Sequence, residues 1–222
     1  MIRVRHLSIG YGDSPLLRDI SFGMEPGECV LLAGANGCGK STLLKTLAGV
    51  LPPMEGALEP FHAALVPTGI PKVRGFSTEE FIRTGCYTET DWKGAFSPPM
   101  RSRLEKAMEL LGIGDLAERD ISTLSDGEFQ LACIATGLTR TCNLLLLDEP
   151  TAFLDVDNRI MVLRALKRAA SETPVLFSSH DIRDAAPLAD RIFAVTPGGT
   201  LEISDTDPSS KEAVLRRAFQ SF

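Results

Sequence analysis

The chain has 222 residues, of which 44% are hydrophobic and 23% charged, proportions that are ordinary for a globular protein and exclude a disordered or fibrous one. Its formal net charge of −6 argues against a broad nucleic-acid-binding surface. No apolar stretch approaches the roughly 20 residues that a bilayer-spanning helix needs, and the first residues lack a signal-peptide core, so we expect a soluble protein that is not exported.

Short strands separated by turns are predicted in the first part of the chain, with candidates at residues 7–9 and 20–24. The continuous apolar run at residues 29–33 predicts a buried strand. A helix follows, because leucines recur at helical spacing over residues 43–48. Pro52 and its neighbour end this helix, since proline cannot continue it.

Residues 34–42 match the phosphate-binding pattern G-x-x-x-x-G-K-[ST] completely and lie between that strand and that helix. Their glycines allow successive N–H groups to converge on phosphate oxygens, and the helix adds the positive end of its dipole. Lys40 is placed to reach the β- and γ-phosphates, and the Ser41 hydroxyl to ligate magnesium. We therefore predict a nucleoside triphosphate site with contacts from Asn36, Gly37, Cys38, Gly39, Lys40, Ser41 and Thr42.

The middle of the chain has a different pattern. After a predicted strand at residues 63–66, apolar side chains fall at helical spacing from about residue 78 to residue 113, which we interpret as a helical insertion. Beyond Ser125, helices alternate with strands. This alternation indicates βαβ units and a mainly parallel sheet in an α/β fold. The predicted elements are a helix after Ser125, strands at residues 144–147, 175–178 and 192–196, and helices at residues 158–170 and after Pro208.

Two adjacent carboxylates, Asp148 and Glu149, follow four consecutive leucines. A fully apolar strand is typical of a parallel sheet that is covered on both faces, and ligands bind at the carboxyl ends of such strands. We predict that Asp148 holds magnesium and that Glu149 polarises a water against the γ-phosphate. The alternative, a solvated acidic loop, is disfavoured by the phosphate loop upstream.

A short acidic motif, Ser-Asp-Gly-Glu at residues 125–128, precedes a helical apolar run. Ser125 as the N-cap with Glu128 three positions later is a capping box, which has a local structural role. Residues 124–128 also resemble the signature sequence of ABC ATPases, which sets a serine hydroxyl and a helix N-terminus against the γ-phosphate bound by a second subunit. The two interpretations are compatible.

Because these motifs occur in that family's order and at its spacings, nearly the whole chain resembles an ABC transporter ATPase subunit. The resemblance implies a RecA-like P-loop NTPase core with a mainly parallel sheet, an N-terminal antiparallel β subdomain and an inserted α-helical lobe. It implies a single ABC ATPase domain over residues 1–222. Within it, residues 1–75 and 124–222 form the nucleotide-binding core and residues 76–123 the helical insertion.

The resemblance also adds three residues to the predicted site. Tyr11 matches the aromatic residue that stacks on adenine, Asp155 lies in the loop that crosses the dimer interface, and His180 matches the switch histidine that contacts the γ-phosphate. Taken alone, Tyr11 is more typical of packing and His180 of a structural role. Their assignment therefore depends on the whole set of motifs.

The implied mechanism uses ATP and Mg²⁺ as the interface between two copies of the chain. One copy binds the nucleotide, with Glu149, His180 and Lys40 as the catalytic groups, and Ser125, Gly127 and Glu128 of the other copy complete the pocket. The implied partners are membrane permease subunits and an extracytoplasmic substrate-binding protein, with no nucleic acid. The implied location is cytoplasmic, peripheral on the inner face of the cell membrane.

The transported substrate is indicated by fewer residues. The segment from Thr84 to Tyr87, with Trp92 and Gly94, and the motifs at residues 123–128 and 178–181 are similar to those of importers of iron chelates, haem and cobalamin. Importers and exporters of other substrates share the same cassette. Three further alternatives are a P-loop phosphotransferase, an ABC protein acting on ribosomes or DNA, and a nucleotide-gated module without turnover.

Two positions depart from the family pattern. Thr68 stands where the family usually has a glutamine that contacts magnesium, and its shorter side chain predicts weaker magnesium binding or weaker coupling. Asp126 replaces the first glycine of the signature, where a carboxylate stabilises the helix N-terminus but would repel a γ-phosphate if it pointed inward. We expect the Asp126 side chain to point away.

The five cysteines show no C-x-x-C pairing, so we expect reduced thiols rather than a metal site or a disulfide framework. Cys38 differs from the others because it lies in the phosphate loop. The N–H dipoles around it predict a lowered thiol pKa and protection from alkylation by bound nucleotide.

Overall fold

The computed structural model describes residues 1–90 and 95–219. Strands and helices alternate after a β-rich beginning, and 3₁₀ turns lie at Thr84–Glu89, Gly114–Leu116 and Ile121–Thr123. The elements are β1 (Ile2–Tyr11), β2 (Ser14–Met24), β3 (Cys29–Ala33), α1 (Lys40–Leu47), β4 (Glu55–Leu58), β5 (Ala63–Val66), α2 (Thr78–Arg83), α3 (Pro98–Leu110), α4 (Asp126–Leu138), β6 (Leu144–Leu147), α5 (Val156–Ala169), β7 (Val175–Ser178), α6 (Ile182–Ala185), β8 (Arg191–Val195), β9 (Leu201–Ile203) and α7 (Pro208–Phe219).

The main sheet has the strand order β5-β6-β7-β3-β8-β9. Its strands are parallel from β5 through β8, and only β9 runs antiparallel to its neighbour β8. Because the carboxyl ends of parallel strands meet at one edge, the chain that follows β3, β6 and β7 converges there. This edge carries the phosphate loop, the two adjacent carboxylates and the segment that contains His180.

Alternate residues of the buried strands enter two separate hydrophobic clusters, one on each face of the main sheet. In β3, Leu31 belongs to the cluster formed with helices α4, α5 and α7, whereas Val30 and Leu32 belong to the cluster formed with α1 and the N-terminal strands. In β6, Leu145 and Leu146 divide in the same way. Coverage of both faces is the reason that these strands are continuously apolar.

A second sheet, of order β2-β1-β4, is antiparallel and covers α1 and one face of the main sheet. The mixed, mostly parallel main sheet, this N-terminal antiparallel sheet and the surrounding helices confirm the predicted P-loop NTPase fold class. Strand β1 is much longer than the predicted residues 7–9, because Arg3 and Arg5 alternate with buried Ile2 and Val4 and leave one face of the strand in solvent.

The helical stretch packs against α4 through α2 and α3. A capping box starts α2, with Ser77 and Glu80 each accepting a hydrogen bond from the other's backbone N–H. Gly85 allows the following 3₁₀ turn to approach α4, since a Cβ atom there would lie 2.1 Å from Thr139 Oγ1. The boundaries 76–123 stay a prediction, and Trp92 and Gly94 lie outside the described residues.

Several predicted elements have the same bounds in the structure, namely strands β3, β5, β6 and β7. Three short elements were not predicted: β4, α6 and β9. Each has only three or four residues, too few to show a period, and β4 and β9 contain no fully buried side chain. Among residues 1–90 and 95–219, no helix has the length and apolar character needed to cross a membrane.

Candidate functional site

The phosphate loop connects β3 to α1 through backbone conformations that favour glycine. Gly37 and Gly39 have φ values of 76° and 106°, and a Cβ atom on Gly39 would lie 2.5 Å from a methyl carbon of Leu17. Gly34 packs closely as well, since its Cβ would lie 2.7 Å from Cys38 Sγ. Helix α1 has no side-chain cap at its N-terminus. The first N–H groups of the helix are therefore free of side-chain partners and directed into the loop, as in an anion-binding site.

Lys40 folds back onto this loop. Its side chain is buried, and Nζ donates hydrogen bonds to the carbonyl oxygens of Gly34 at 2.8 Å and Ala35 at 3.0 Å. These two carbonyls leave one of the three ammonium donors available. The loop thus holds a positive charge directly beside the α1 N-terminus.

A cleft of about 440 Å³ opens above the phosphate loop, and we call it the nucleotide cleft. Four distant parts of the chain meet there: the β1–β2 hairpin, the phosphate loop, the segment after β6 and the segment after β7. The Thr42 hydroxyl lies 3.3 Å from the Tyr11 hydroxyl, and Tyr11 remains 56% exposed. The residues lining the cleft are Tyr11, Leu16, Asn36, Gly37, Gly39, Lys40, Ser41, Thr42, Glu149 and His180.

Asp148 lies beneath the cleft and is held by Ser178, a residue that the sequence analysis did not assign to the site. The Ser178 hydroxyl donates to Asp148 Oδ1 at 2.8 Å and accepts from the Glu149 backbone N–H at 2.9 Å. Ser178 ends β7, which pairs directly with β6. A signal was present in the sequence, because Ser178 ends a predicted buried strand and Ser179 follows it, but the neighbouring strand could not be identified without the sheet order.

Glu149 combines a strained backbone with a shifted carboxyl pKa, and His180 lies beside it. Glu149 has a φ of 51°, outside the conformations that side-chain-bearing residues prefer. Its Oε2 accepts the His180 backbone N–H at 3.1 Å, and Oε1 lies 3.2 Å from His180 Nε2. That second contact lacks hydrogen-bond geometry, so Oε1 is buried without a hydrogen-bond partner among the described residues.

This environment favours the protonated form of Glu149. Burial raises the pKa of its carboxyl group above the ordinary value, opposed by the charge and backbone N–H of His180 and by the charge of Lys40. A raised pKa brings a carboxylate closer to the operating pH of a general base. The unpartnered Oε1 is an acceptor for a water or a ligand hydroxyl in the cleft.

The signature segment, residues 125–128, lies outside the nucleotide cleft of its own chain. The predicted capping box is confirmed: Ser125 Oγ accepts from Glu128 N at 3.2 Å, and Glu128 Oε2 accepts from Ser125 N at 2.7 Å. That backbone hydrogen bond is the main cause of the lowered pKa of Glu128, which also pairs with Arg119. Gly127 follows the cap in the first turn of α4.

The helix that carries the signature segment is joined to the carboxylate loop through Gln130. Gln130 is buried, and its Nε2 donates to the carbonyl of Pro150 at 3.2 Å. Asp155 caps α5 in the same region, accepting from the Asn158 backbone N–H at 2.8 Å. Neither Asp155 nor the signature segment reaches the cleft lined by Lys40 and Glu149.

The segment that contains Thr68 also contacts Asp126, the other residue that departs from the family pattern. Thr68 is exposed two residues beyond β5, close to the end of β6, because Val66 pairs with Leu147 and its carbonyl accepts from the Asp148 N–H. Lys72 lies four residues after Thr68, and its Nζ donates a hydrogen bond to Asp126 Oδ1 at 2.7 Å. The two side chains form an ion pair in which the Asp126 side chain is largely exposed.

The oxygen donors at the cleft fit a magnesium ion that also binds a nucleotide. The Asp148 carboxylate has one oxygen beyond the Ser178 hydrogen bond, and the Ser41 hydroxyl is exposed in the loop. Residues 1–90 and 95–219 contain no group of three or more His, Cys, Asp or Glu side chains that could hold a metal alone. Magnesium needs no such group, because one or two protein oxygens plus phosphates and waters complete its shell.

The thiol pKa of Cys38 differs from the prediction. Burial raises the pKa of its thiol above the ordinary value, and this exceeds the lowering by the Lys40 ammonium and by backbone N–H groups. The predicted lowered pKa is therefore wrong. The sequence showed the dipoles around Cys38 but not that the loop packs the Sγ atom against Gly34 and leaves it half-buried.

Alkylation of Cys38 is expected to be slow at neutral pH and slower still with nucleotide. Its thiolate is scarce because the pKa is raised. Cys38 does not itself line the cleft, but a nucleotide on the flanking Gly37 and Gly39 would restrict access to its thiol. At an ATP concentration ten times the dissociation constant, occupancy alone lowers the rate about tenfold. Mass spectrometry of iodoacetamide-treated protein measures each cysteine. Cys142, remote from the nucleotide cleft, is the control, and equal Cys38 rates with and without ATP would contradict the prediction.

The sequence of this chain is similar to those of known proteins over almost its whole length. A family model described as ABC transporter matches residues 17–152, more than half of the chain. The achromobactin transport ATP-binding protein CbrD of Dickeya dadantii is 32% identical over 98% of this chain and 87% of that protein. The iron(3+)-hydroxamate import ATP-binding protein FhuC of Bacillus subtilis is 29% identical over 99% of this chain and 87% of that protein.

A solved structure extends the likeness to the whole fold. An ABC transporter described as being of the metal-chelate type, in an inward-facing conformation, superimposes with a TM-score of 0.85. It is 26% identical in sequence, and the match covers 99% of this chain and 88% of that one. The chain belongs to the ABC transporter family, as an ATP-binding subunit that hydrolyses ATP.

Proposed function

We propose that ATP binds in the nucleotide cleft and that its hydrolysis powers transport through a separate membrane permease. Four segments distant in sequence converge on this cleft, and that convergence is the observation on which the proposal rests. In the proposal, Tyr11 stacks on the adenine and residues 36–42 cradle the phosphates. When ATP binds, Lys40 Nζ gives up its hydrogen bonds to the carbonyls of Gly34 and Ala35 and donates instead to oxygens of the β- and γ-phosphates.

Glu149 is proposed as the general base for the attacking water. Its raised pKa and its unpartnered Oε1 support this role, because a base needs both proton affinity and a free lone pair facing the reacting water. His180 lies beside the same carboxylate and is proposed to contact the γ-phosphate. When bound by Ser41 and Asp148, with Thr68 nearby, Mg²⁺ would neutralise charge on the phosphates.

A second copy of the chain is proposed to complete each ATP site. Ser125, Gly127, Glu128 and Asp155 have no access to the cleft of their own chain, which suits residues that act across an interface. Two large apolar side chains next to Asp155 are exposed, Phe153 at 67% and Val156 at 63%. Exposed apolar side chains of this size are typical of surfaces that a partner covers. The γ-phosphate would then hold the two copies together until hydrolysis.

The helical segment carries the proposed permease-docking surface. A separate cleft of about 260 Å³ lies between α2, the 3₁₀ turn at Thr84–Glu89 and the residues just before α3. Two aromatic residues at its rim are exposed, Phe76 at 43% and Tyr87 at 73%, and Phe96 packs under Arg83 with 4.5 Å between the guanidinium carbon and the ring centroid. An aromatic-lined groove of this kind suits a short helix of a partner. Such docking would hold the subunit at the inner face of the membrane.

The proposed cargo is an iron chelate, haem or cobalamin, delivered by an extracytoplasmic binding protein. The names of the relatives and the metal-chelate structural neighbour support this class. The cassette contacts nucleotide rather than cargo, so another transported substrate is the alternative. Identification of the membrane partner distinguishes them.

The test is affinity purification of the tagged subunit from detergent-solubilised native membranes, with mass spectrometry of the proteins that co-purify. We expect a permease, together with a binding protein for a metal chelate. Tyr87→Asp should reduce permease recovery, whereas Val50→Asp, a matched change at a residue 63% exposed elsewhere, should not. Recovery of ribosomes instead of a permease would overturn the proposal.

Thr68→Gln is expected to raise magnesium-dependent turnover, by up to about tenfold. The longer amide side chain extends from the end of β5 toward Asp148 and can supply the oxygen that threonine cannot bring there. Phosphate release is measured across a magnesium titration, with Thr68→Ser as the size-reducing control. An unchanged rate at every magnesium concentration would show that residue 68 does not limit this step.

A further inference from the structure

Lys72 makes three simultaneous contacts at the start of α4. Its Nζ donates to Asp126 Oδ1 at 2.7 Å and to the carbonyl of Leu124 at 2.7 Å, and it lies 5.7 Å from the ring centroid of Phe129. Phe129 is itself buried and packs on Phe81, with 5.6 Å between the ring centroids. The ammonium group is thus held in one position by a carboxylate, a carbonyl and an aromatic face.

This position matters because of the charge on Asp126. Asp126 stands between Ser125 and Gly127, and its side chain is 74% exposed. In the proposed dimer, the residues on both sides of it face the γ-phosphate of the partner's ATP. A carboxylate there would repel the triphosphate, and like charges brought together at an interface oppose association.

We propose that Lys72 is a positioning residue that neutralises Asp126 and so lets the signature segment accept the partner's triphosphate. In this scheme Lys72 contacts neither the nucleotide nor the attacking water. Its side chain is only 27% exposed, and its contacts with Leu124 and Phe129 keep the ammonium at Asp126 rather than in solvent. The inference rests on the composite ATP site proposed above.

The same contacts allow a second role that the test must separate from the first. Lys72 and Asp126 line a cleft of about 400 Å³ together with Gly69, Gln130 and Phe153, so the ion pair also joins the segment after β5 to α4. If Lys72 acted only as a mechanical tether, loss of either partner would be harmful. If it acts by neutralisation, loss of Lys72 is harmful only while Asp126 keeps its charge.

The experiment measures ATP-induced dimerisation in the Glu149→Gln background, by light scattering at several protein concentrations. Lys72→Met keeps the apolar stem against Phe129 and removes the charge. We expect it to weaken dimerisation about tenfold, since the uncompensated carboxylate acts at both ATP sites. Asp126→Asn should restore dimerisation to Lys72→Met, and should not weaken it when introduced alone.

Salt dependence and matched variants complete the design. The Lys72→Met defect should shrink in about 0.5 M salt, because exposed charges are then screened. Lys72→Arg should behave like the parent, and Lys106→Met, which removes another lysine–carboxylate pair with Glu172, should have no effect. Lys72→Gln makes the same charge change if Lys72→Met folds poorly, as its melting temperature will show.

The outcomes separate this inference from the proposed function. A Lys72→Met protein that dimerises normally, or a defect that Asp126→Asn does not relieve, overturns the neutralising role alone and leaves the composite site intact. A Glu149→Gln protein that stays monomeric with ATP and magnesium, although it binds ATP, overturns the composite site and this inference together.

Discussion

Replacement of Glu149 by glutamine is expected to lower the turnover number for ATP hydrolysis by about 10²- to 10⁴-fold, the usual contribution of a general base. The amide keeps the size of the side chain but cannot take a proton from water. ATP affinity should stay close to that of the wild type, because Glu149 contributes no cation or N–H donor to the phosphates. Steady-state phosphate release and equilibrium nucleotide binding measure the two quantities separately.

The same variant is expected to accumulate as an ATP-bound dimer of twice the 24.0 kDa mass of the chain. In the proposed function the γ-phosphate joins the two copies, so a protein that cannot cleave it cannot separate. Light scattering with ATP, with ADP and without nucleotide reports the mass directly. Glu172→Gln, an exposed carboxylate far from the cleft, is the matched control. Turnover within threefold of the wild type would exclude Glu149 as the base.

The pH dependence of the melting temperature tests the raised pKa of Glu149 independently of catalysis. Its folded-state pKa is raised above the ordinary value of 4.5, so below that pH both folded and unfolded chains hold the proton and stability is unaffected. As the pH rises from 4.5 through the folded pKa, the unfolded state loses its proton first and the free energy of unfolding falls. Glu149→Gln should therefore melt at a higher temperature than the wild type at neutral pH, and the difference should vanish near pH 4.

Lys40→Ala is expected to weaken ATP binding by about 2–5 kcal/mol, or roughly 30- to 4,000-fold, the usual cost of removing one partner from a buried charged contact. Lys40 is the buried cation of the phosphate loop, and its ammonium would exchange the Gly34 and Ala35 carbonyls for phosphate oxygens. Calorimetric titration with a non-hydrolysable ATP analogue measures the loss.

Lys45 is the matched control, because it tests whether ATP binding depends on Lys40 itself or on the positive charge of helix α1 in general. Lys45→Ala removes a lysine from the last turn of the same helix, where it complements the dipole but does not approach the cleft. Its ATP affinity should be unchanged. If both alanine variants lose the same affinity, the phosphate loop does not bind nucleotide through Lys40.

Local patterns were sufficient for a large part of the fold. The strand bounds of β3, β5, β6 and β7 were predicted correctly, because strands buried in a two-sided parallel sheet are short continuous apolar runs between polar loops. The capping box of Ser125 and Glu128 was predicted from spacing alone, since it is an interaction within one turn of helix. The first residues of β1 were missed because Arg3 and Arg5 alternate with its apolar residues, so only the short apolar run at residues 7–9 was recognised as a strand.

The electrostatic predictions were less successful where burial decides the outcome. The dipoles around Cys38 are visible in the sequence, but the desolvation that raises its pKa depends on the packing of Sγ against Gly34. The charge of Asp126 was recognised, and its partner Lys72 was not. The two residues are separated along the chain by the whole helical segment, and no sequence spacing relates them.

The sequence by itself therefore determined the family, the phosphate loop and the order of the chemical groups, because each of these depends on residues that are neighbours in the chain. Only the tertiary structure decided which groups meet. Ser178 bridges Asp148 and Glu149, and His180 contacts Glu149, because β6 and β7 are adjacent in the sheet. Strand order and burial arise from packing of the whole chain, so the partners and proton affinities of these side chains could not be obtained from local pattern.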